Sequence, residues 1–369
     1  MTTGGAGLQA RGPLIGLRVV EFAGLGPGPH CAMLLADLGA EVLRFERPEG
    51  NEFPNPVLDR GRLTVTADLK SAADVARCRA ACARADVLIE GFRPGVMERL
   101  GLGPELLCAD NPRLVYARLT GWGQDGPMAP RVGHDLNYIA LAGALNHFRS
   151  AGALPVPPLN LVGDYGGGSL FAAFGIMAAL WERQGSGRGQ VIDAAIVDGT
   201  AAMMSIAAGF AAAGSLSLDP RRNALGGAAP FYRCYTCADG REVTIGSLEP
   251  RFYREVLRVL GLPESYLASQ YDASEWEQRG QEFARIFVQK TREEWCRLFA
   301  GVDACFAPVL AVSETVRDEH LSARGTYTEI DGVPHGAPAP RFSRTPGAAR
   351  ASLDGSDVLR RWGVEPASA

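Results

Sequence analysis

No stretch of this chain approaches 18 uninterrupted apolar residues, so composition offers no membrane-spanning helix. The opening residues, MTTGGAGLQARG, lack an apolar h-region, and the chain closes on PASA rather than the peroxisomal S-K-L address. A cytoplasmic protein without membrane association is the expectation. A basic excess is missing too: 37 Lys and Arg face 41 Asp and Glu, a formal net charge of -4. Nucleic acid is therefore not an expected partner, although local arginine clusters can still bind a phosphorylated small molecule. Cysteine is sparse, eight in 369 residues, which fits reduced thiols and no disulfide framework. Cys234 and Cys237 form a C-x-x-C in FYRCYTCADG, but no second pair with metal-ligand spacing follows, and the run reads as a strand before an Asp-Gly turn. Cys78 and Cys82 read as packed thiols on an amphipathic helix. No metal site is expected, and no internal repeat is visible.

What is present is globular texture, 47% hydrophobic and 21% charged residues, in a chain long enough for two domains. Apolar β-rich runs at 18–23, 41–45, 86–90 and 114–119 alternate with helical patterns such as 71–85. Such alternation implies an α/β domain with a parallel sheet covered on both faces. Asp164 then opens a long helix of small residues to about Arg183, followed by the strand QVIDAAI and an alanine-rich helix. The division expected is a large α/β domain over 1–200, a linker over 201–230, a small α+β domain over 231–316 with a hairpin at Asp239-Gly240, and a tail over 317–369.

The stretch VVEFAGLGPGPHCAMLLADLGAEVLRFE has a dinucleotide-binding layout: strand, glycine turn, helix, then an acid, Glu46, at the end of the next strand. Its residue types argue otherwise. The fingerprint needs a third glycine where Pro29 stands, and Pro27 and Pro29 have no amide proton to offer a pyrophosphate. The turn reads instead as a strand-to-helix connection with proline near the helix start.

Three acid-base candidates remain. His134, in RVGHDLNYIALAGAL, stands at a helix entrance with Gly133 beside it; it suits either a base working near neutral pH or a structural hydrogen bond. Asp164 fits a helix N-cap, while Gly166, Gly167 and Gly168 after it leave room for something to approach the backbone at the positive end of that helix. Glu249, before Pro250, complements a helix start. Arg47, Lys70 and Arg93 each follow a strand or strand-like segment, where the carboxyl ends of a parallel sheet converge and basic groups can hold phosphates.

GPGPHCAMLLADLGAEVLRFERP, ADVLIEGFRPGVMERLGLGPE, VYARLTGWGQDGP, GHDLNYIALAG, PPLNLVGDYGGGS, GQVIDAAIVDG, IGSLEPRFY and DACFAPVL together resemble the α-methylacyl-CoA racemases of the family III CoA-transferase (CaiB/BaiF) superfamily, from about Leu17 to Thr345. The resemblance implies a Rossmann-like large domain to which the tail returns, a smaller domain, and an interlocked homodimer with active sites between the large domain of one subunit and the small domain of the other. On that pattern His134 and Asp164 match the catalytic pair and Glu249 a supporting acid. CoA contacts fall on Arg47, Ala67, Asp68, Leu69, Lys70, Arg93, Gly133, Asp135, Leu136, Asn137 and Tyr138. The implied substrate is an acyl-CoA thioester whose 2-methyl centre is epimerised without an added cofactor, CoA being part of the substrate. Two alternatives are a CoA-transferase using Asp164 as nucleophile and a non-catalytic acyl-CoA-binding protein. One departure is Gly226: the family pattern Leu-Asp-Gly-Gly-Ala-Pro is here Leu225-Gly226-Gly227-Ala228-Ala229-Pro230.

Overall fold

The computed structural model describes residues 11–364 apart from 52, 150–152, 215–216, 218 and 220–221. The chain forms two units. The first takes the chain up to Ala142, Pro158–Met203 and the tail from Glu319; the second takes Gly143–Pro157 and Met204–Asp318.

In the first unit β1 (Arg18–Phe22), β2 (Glu41–Glu46), β3 (Arg62–Thr66), β4 (Val87–Glu90), β5 (Val115–Thr120) and β6 (Val191–Ala195) form a parallel sheet, and the tail strand Leu353–Asp354 adds a seventh beside β3. The strand order runs from the tail strand through β3, β2, β1, β4 and β5 to β6, so the winding reverses between β1 and β4. The strands are rich in apolar residues on both sides because both faces are covered. Val20, Leu43, Leu88 and Tyr116 point to one face, against α2 (Ala72–Cys82) and the tail helix Ser356–Arg361. Val19, Val42, Val87 and Val115 point to the other, against α1 (Pro27–Asp37) and a later helix, Phe171–Ser186. Each fully buried side chain of this size contributes about 1.5–3 kcal/mol.

Strand β3 lies outside the apolar runs evident in the sequence because RLTVT has only Leu63 and Val65 as apolar residues. Arg62 is fully buried: Nε meets Glu21 of β1 at 3.0 Å, and the guanidinium also donates to the carbonyls of Arg60 and Pro29. The last bond fixes the GPGPH turn to the sheet. That turn starts α1 with Gly26 at φ 71°, a conformation that favours glycine, and Pro27 at the first helical position.

Between β4 and β6 come α3 (Val96–Arg99), α4 (Pro104–Asp110) and α5 (Asp135–Leu141), then a π-helical stretch, Leu161–Leu170, running into α6 (Phe171–Ser186), and α7 (Ile196–Met203) follows β6. Together Leu161–Ser186 are long and apolar enough to cross a bilayer. Here Ala172, Ile176, Ala179 and Leu180 are buried on the sheet, and Arg183 is held by Asp86 and the Arg113 carbonyl.

The second unit carries α8 (Ser205–Ala212), then the hairpin β7 (Tyr232–Thr236) and β8 (Glu242–Gly246) with its turn at Asp239-Gly240, and a third antiparallel strand, Phe306–Pro308. Helix α9 (Pro250–Leu260) and helices over 276–299 pack Tyr253, Phe283, Phe287 and Trp295 on Phe231, Tyr235 and Val243. The alanine-rich helix expected after QVIDAAI is two helices, α7 and α8, and α8 falls within the span 201–230.

Candidate active site

Two cavities of the first unit open where the carboxyl ends of β1 to β5 meet, at the reversal of strand order, the position at which open parallel sheets bind ligands. The larger, about 580 Å³, is walled by the residues after β1, β2, β3 and β4, including Gly24, Arg47, Ala67, Asp68, Leu69, Lys70 and Phe92. The other, about 380 Å³, includes Gly26, Pro27, Phe92, Arg93, Trp122, Gly133, His134, Tyr138 and Asp164. Leu25 and Phe92 line both.

His134 is the exposed residue preceding α5, and the Asn137 side chain accepts its backbone N–H at 3.1 Å. Tyr138, one turn on, donates its hydroxyl to the Gly133 carbonyl and sets its ring edge-on to Trp122 at 4.7 Å. The entrance of α5 is thereby fixed from two sides, and His134 faces the cavity from a braced backbone.

Asp164 is not the N-cap that the sequence suggested. Asn160 precedes the helical stretch, and Asp164 sits inside its first turn, with π-helical spacing. Such turns are uncommon and recur at functional sites. The buried Asp135 carboxylate takes the Asp164 N–H at 2.7 Å and also the Gly163 N–H, so these two backbone donors at the start of the helix are already bonded. The Asn160 amide donates to Asp164 Oδ2 at 3.3 Å, and a Cβ on Gly26 would lie 2.9 Å from the same oxygen. Burial holds the Asp164 carboxyl above its ordinary value, Asp135 adds to this, and Asn160 and His134 oppose it. A carboxyl moved toward neutrality can both give and take a proton.

The glycines after Asp164 answer to packing rather than to ligand access. A Cβ on Gly167 would meet Thr200 Oγ1 at 2.5 Å, and one on Gly168 would meet Pro27 at 2.9 Å. The Cβ of an alanine at Gly199 would lie 1.9 Å from the Gly167 carbonyl oxygen, so α7 and the Asp164 helix touch backbone to backbone.

Of the residues matched by resemblance, Arg47, Ala67, Asp68, Leu69 and Lys70 gather on the first cavity and Arg93, Gly133, His134, Tyr138 and Asp164 on the second. Asp135, Leu136 and Asn137 line neither: Asp135 supports the Asp164 turn, Asn137 braces His134, and Leu136 is exposed. Glu249 is the exposed residue before α9 in the second unit. Trp122 and Phe92 escaped the sequence analysis, although each lies just past the carboxyl end of a strand, the signal that had picked out Arg93. Among the described residues, no group of three or more His, Cys, Asp or Glu is arranged to hold a metal ion.

The family model CoA-transferase family III matches residues 14–353. The chain belongs to that family. It is 46% identical to α-methylacyl-CoA racemase of Mus musculus, covering 95% of this chain and 93% of the relative. Identity to α-methylacyl-CoA racemase of Homo sapiens is 45%, over 90% of this chain and 87% of the relative. A solved CaiB/BaiF family protein from Brucella suis superposes with a TM-score of 0.81 at 26% identity, over 96% of this chain and all of the other.

Proposed function

We propose that the chain is an α-methylacyl-CoA racemase, an isomerase inverting the 2-methyl centre of acyl-CoA thioesters. The observation that carries the proposal is the meeting of His134 and Asp164, a carboxyl raised by burial, on one cavity, adjoining a larger one edged by Arg47 and Lys70. The hydrogen next to a thioester carbonyl is acidic enough for a positioned base to remove. Inversion then requires an acid on the opposite face to return a proton to the planar enolate. His134 and Asp164 exchange these roles according to which epimer is bound.

The nucleotide end of CoA lies in the larger cavity, where Arg47 offers a bidentate fork and Lys70 a point charge to phosphates. Remote binding there places the reacting carbon between the two groups. The working protein is a homodimer in which Glu249 supports the partner's histidine. A stripe of exposed Leu170, Phe174 and Trp181 on one side of the Asp164 helix suits burial against a second copy.

The test offers one pure 2-methylacyl-CoA epimer together with a free carboxylate. A mixture of epimers, with CoA left on its original acid, supports the racemase. Migration of CoA to the carboxylate with configuration kept would instead make Asp164 an acyl-carrying nucleophile.

A further inference from the structure

Glu90 ends β4 at the edge where the two cavities meet, and only 1% of it is exposed. Its carboxylate accepts the Phe92 N–H at 2.8 Å and Arg118 Nε at 3.0 Å. Arg118, on β5, is 7% exposed and turns its two terminal nitrogens to Glu98 of α3, at 2.9 and 3.3 Å. Glu90 and Glu98 stand on either side of the segment Gly91–Gly95, so one guanidinium ties both of its ends together.

That segment carries Phe92, which lines both cavities, and Arg93, which lines the one holding His134 and Asp164. Glu90, Arg118 and Glu98 themselves line neither. Burial pushes the Glu90 carboxyl up to about 6, against the pull of the Phe92 N–H and Arg118. An apolar residue would fill this place without that cost. What only the carboxylate supplies is two acceptors, one for the loop and one for the arginine that holds the loop's far end.

We propose that Glu90, Arg118 and Glu98 are positioning residues for the CoA portion of the substrate, holding Gly91–Gly95 so that Phe92 and Arg93 form the wall shared by the two cavities. The inference rests on those cavities being an acyl-CoA groove. Glu90→Gln tests it: an amide has one acceptor oxygen and turns its NH2 toward a donor, so it cannot serve Phe92 and Arg118 at once.

CoA binding is measured by calorimetry. Kinetics compare a 2-methylacyl-CoA with the N-acetylcysteamine thioester of the same acid, which lacks the nucleotide. The CoA dissociation constant and the KM for acyl-CoA rise on the order of 10-fold, while kcat/KM for the truncated thioester stays within about 2-fold. Glu98→Ala, at a side chain 44% exposed and therefore tolerant of replacement, shifts the same constants in the same direction by a smaller factor. Unchanged CoA affinity in both variants, or equal losses with both substrates, overturns the positioning role. A wild-type protein that binds CoA but inverts nothing overturns the racemase reading and leaves the calorimetric comparison in force.

Discussion

At the scale of single residues, the chemistry proposed depends on a carboxyl raised above its ordinary value by burial and a histidine on the same cavity. Asp164 is held up by burial and by Asp135, whose own carboxyl is raised by burial while it binds two backbone N–H groups. Asp164→Asn keeps the size and an acceptor for Asn160 but cannot exchange a proton. Its rate of epimerisation falls by about 10² to 10⁴, with KM little changed, and His134→Ala falls by a similar factor. Initial rates by chiral chromatography of the hydrolysed acids check this; a variant within 3-fold of wild type removes that residue from the proton path. The residue types were legible in the sequence, but their supports were not. The resemblance carries a CoA contact over to Asp135; what a local pattern does not show is that its side chain turns inward to the Asp164 turn, 29 residues away in sequence.

At the scale of elements, the glycines of VGDYGGGS let two helices meet. A Gly167→Ala side chain would press on Thr200 Oγ1 at 2.5 Å and on the Ile196 carbonyl at 2.8 Å, and backbone cannot rotate away. Overpacking of this kind costs about 1–3 kcal/mol. Urea unfolding of the variant is expected at lower midpoint with unchanged slope; an unaltered midpoint contradicts the backbone-to-backbone packing. A local pattern shows that glycine is required, but not whether a ligand or another helix is the reason. The same limit hid β3, whose RLTVT offers only Leu63 and Val65 as apolar residues and whose Arg62 is buried with Glu21, two strands away in the sheet, as its ion-pair partner. Strands β1, β2, β4 and β5, each with three or more apolar residues, were legible because burial on both faces leaves that signature.

At the scale of the whole molecule, the prolines of GPGPH distinguish this sheet from a dinucleotide-binding one. They remove two amide donors of the first turn, those of residues 27 and 29, and Arg62 fastens the Pro29 carbonyl in the turn where Gly26 lies against Asp164. The exposed Phe174 and Trp181 side chains, 73% and 80% accessible, make the proposed dimer testable. Glu at both positions should give a monomer by sedimentation velocity at micromolar protein, with the far-UV circular dichroism retained; a dimer of undiminished affinity would place the contact elsewhere. The central claim concerns a proton. One epimer of a 2-methylacyl-CoA, incubated with the wild-type protein in D2O and followed by NMR, should gain deuterium at the α-carbon as the two diastereomers approach equal amounts. Recovery of the starting epimer with its α-hydrogen intact, under conditions in which CoA binding is saturated, would contradict the account.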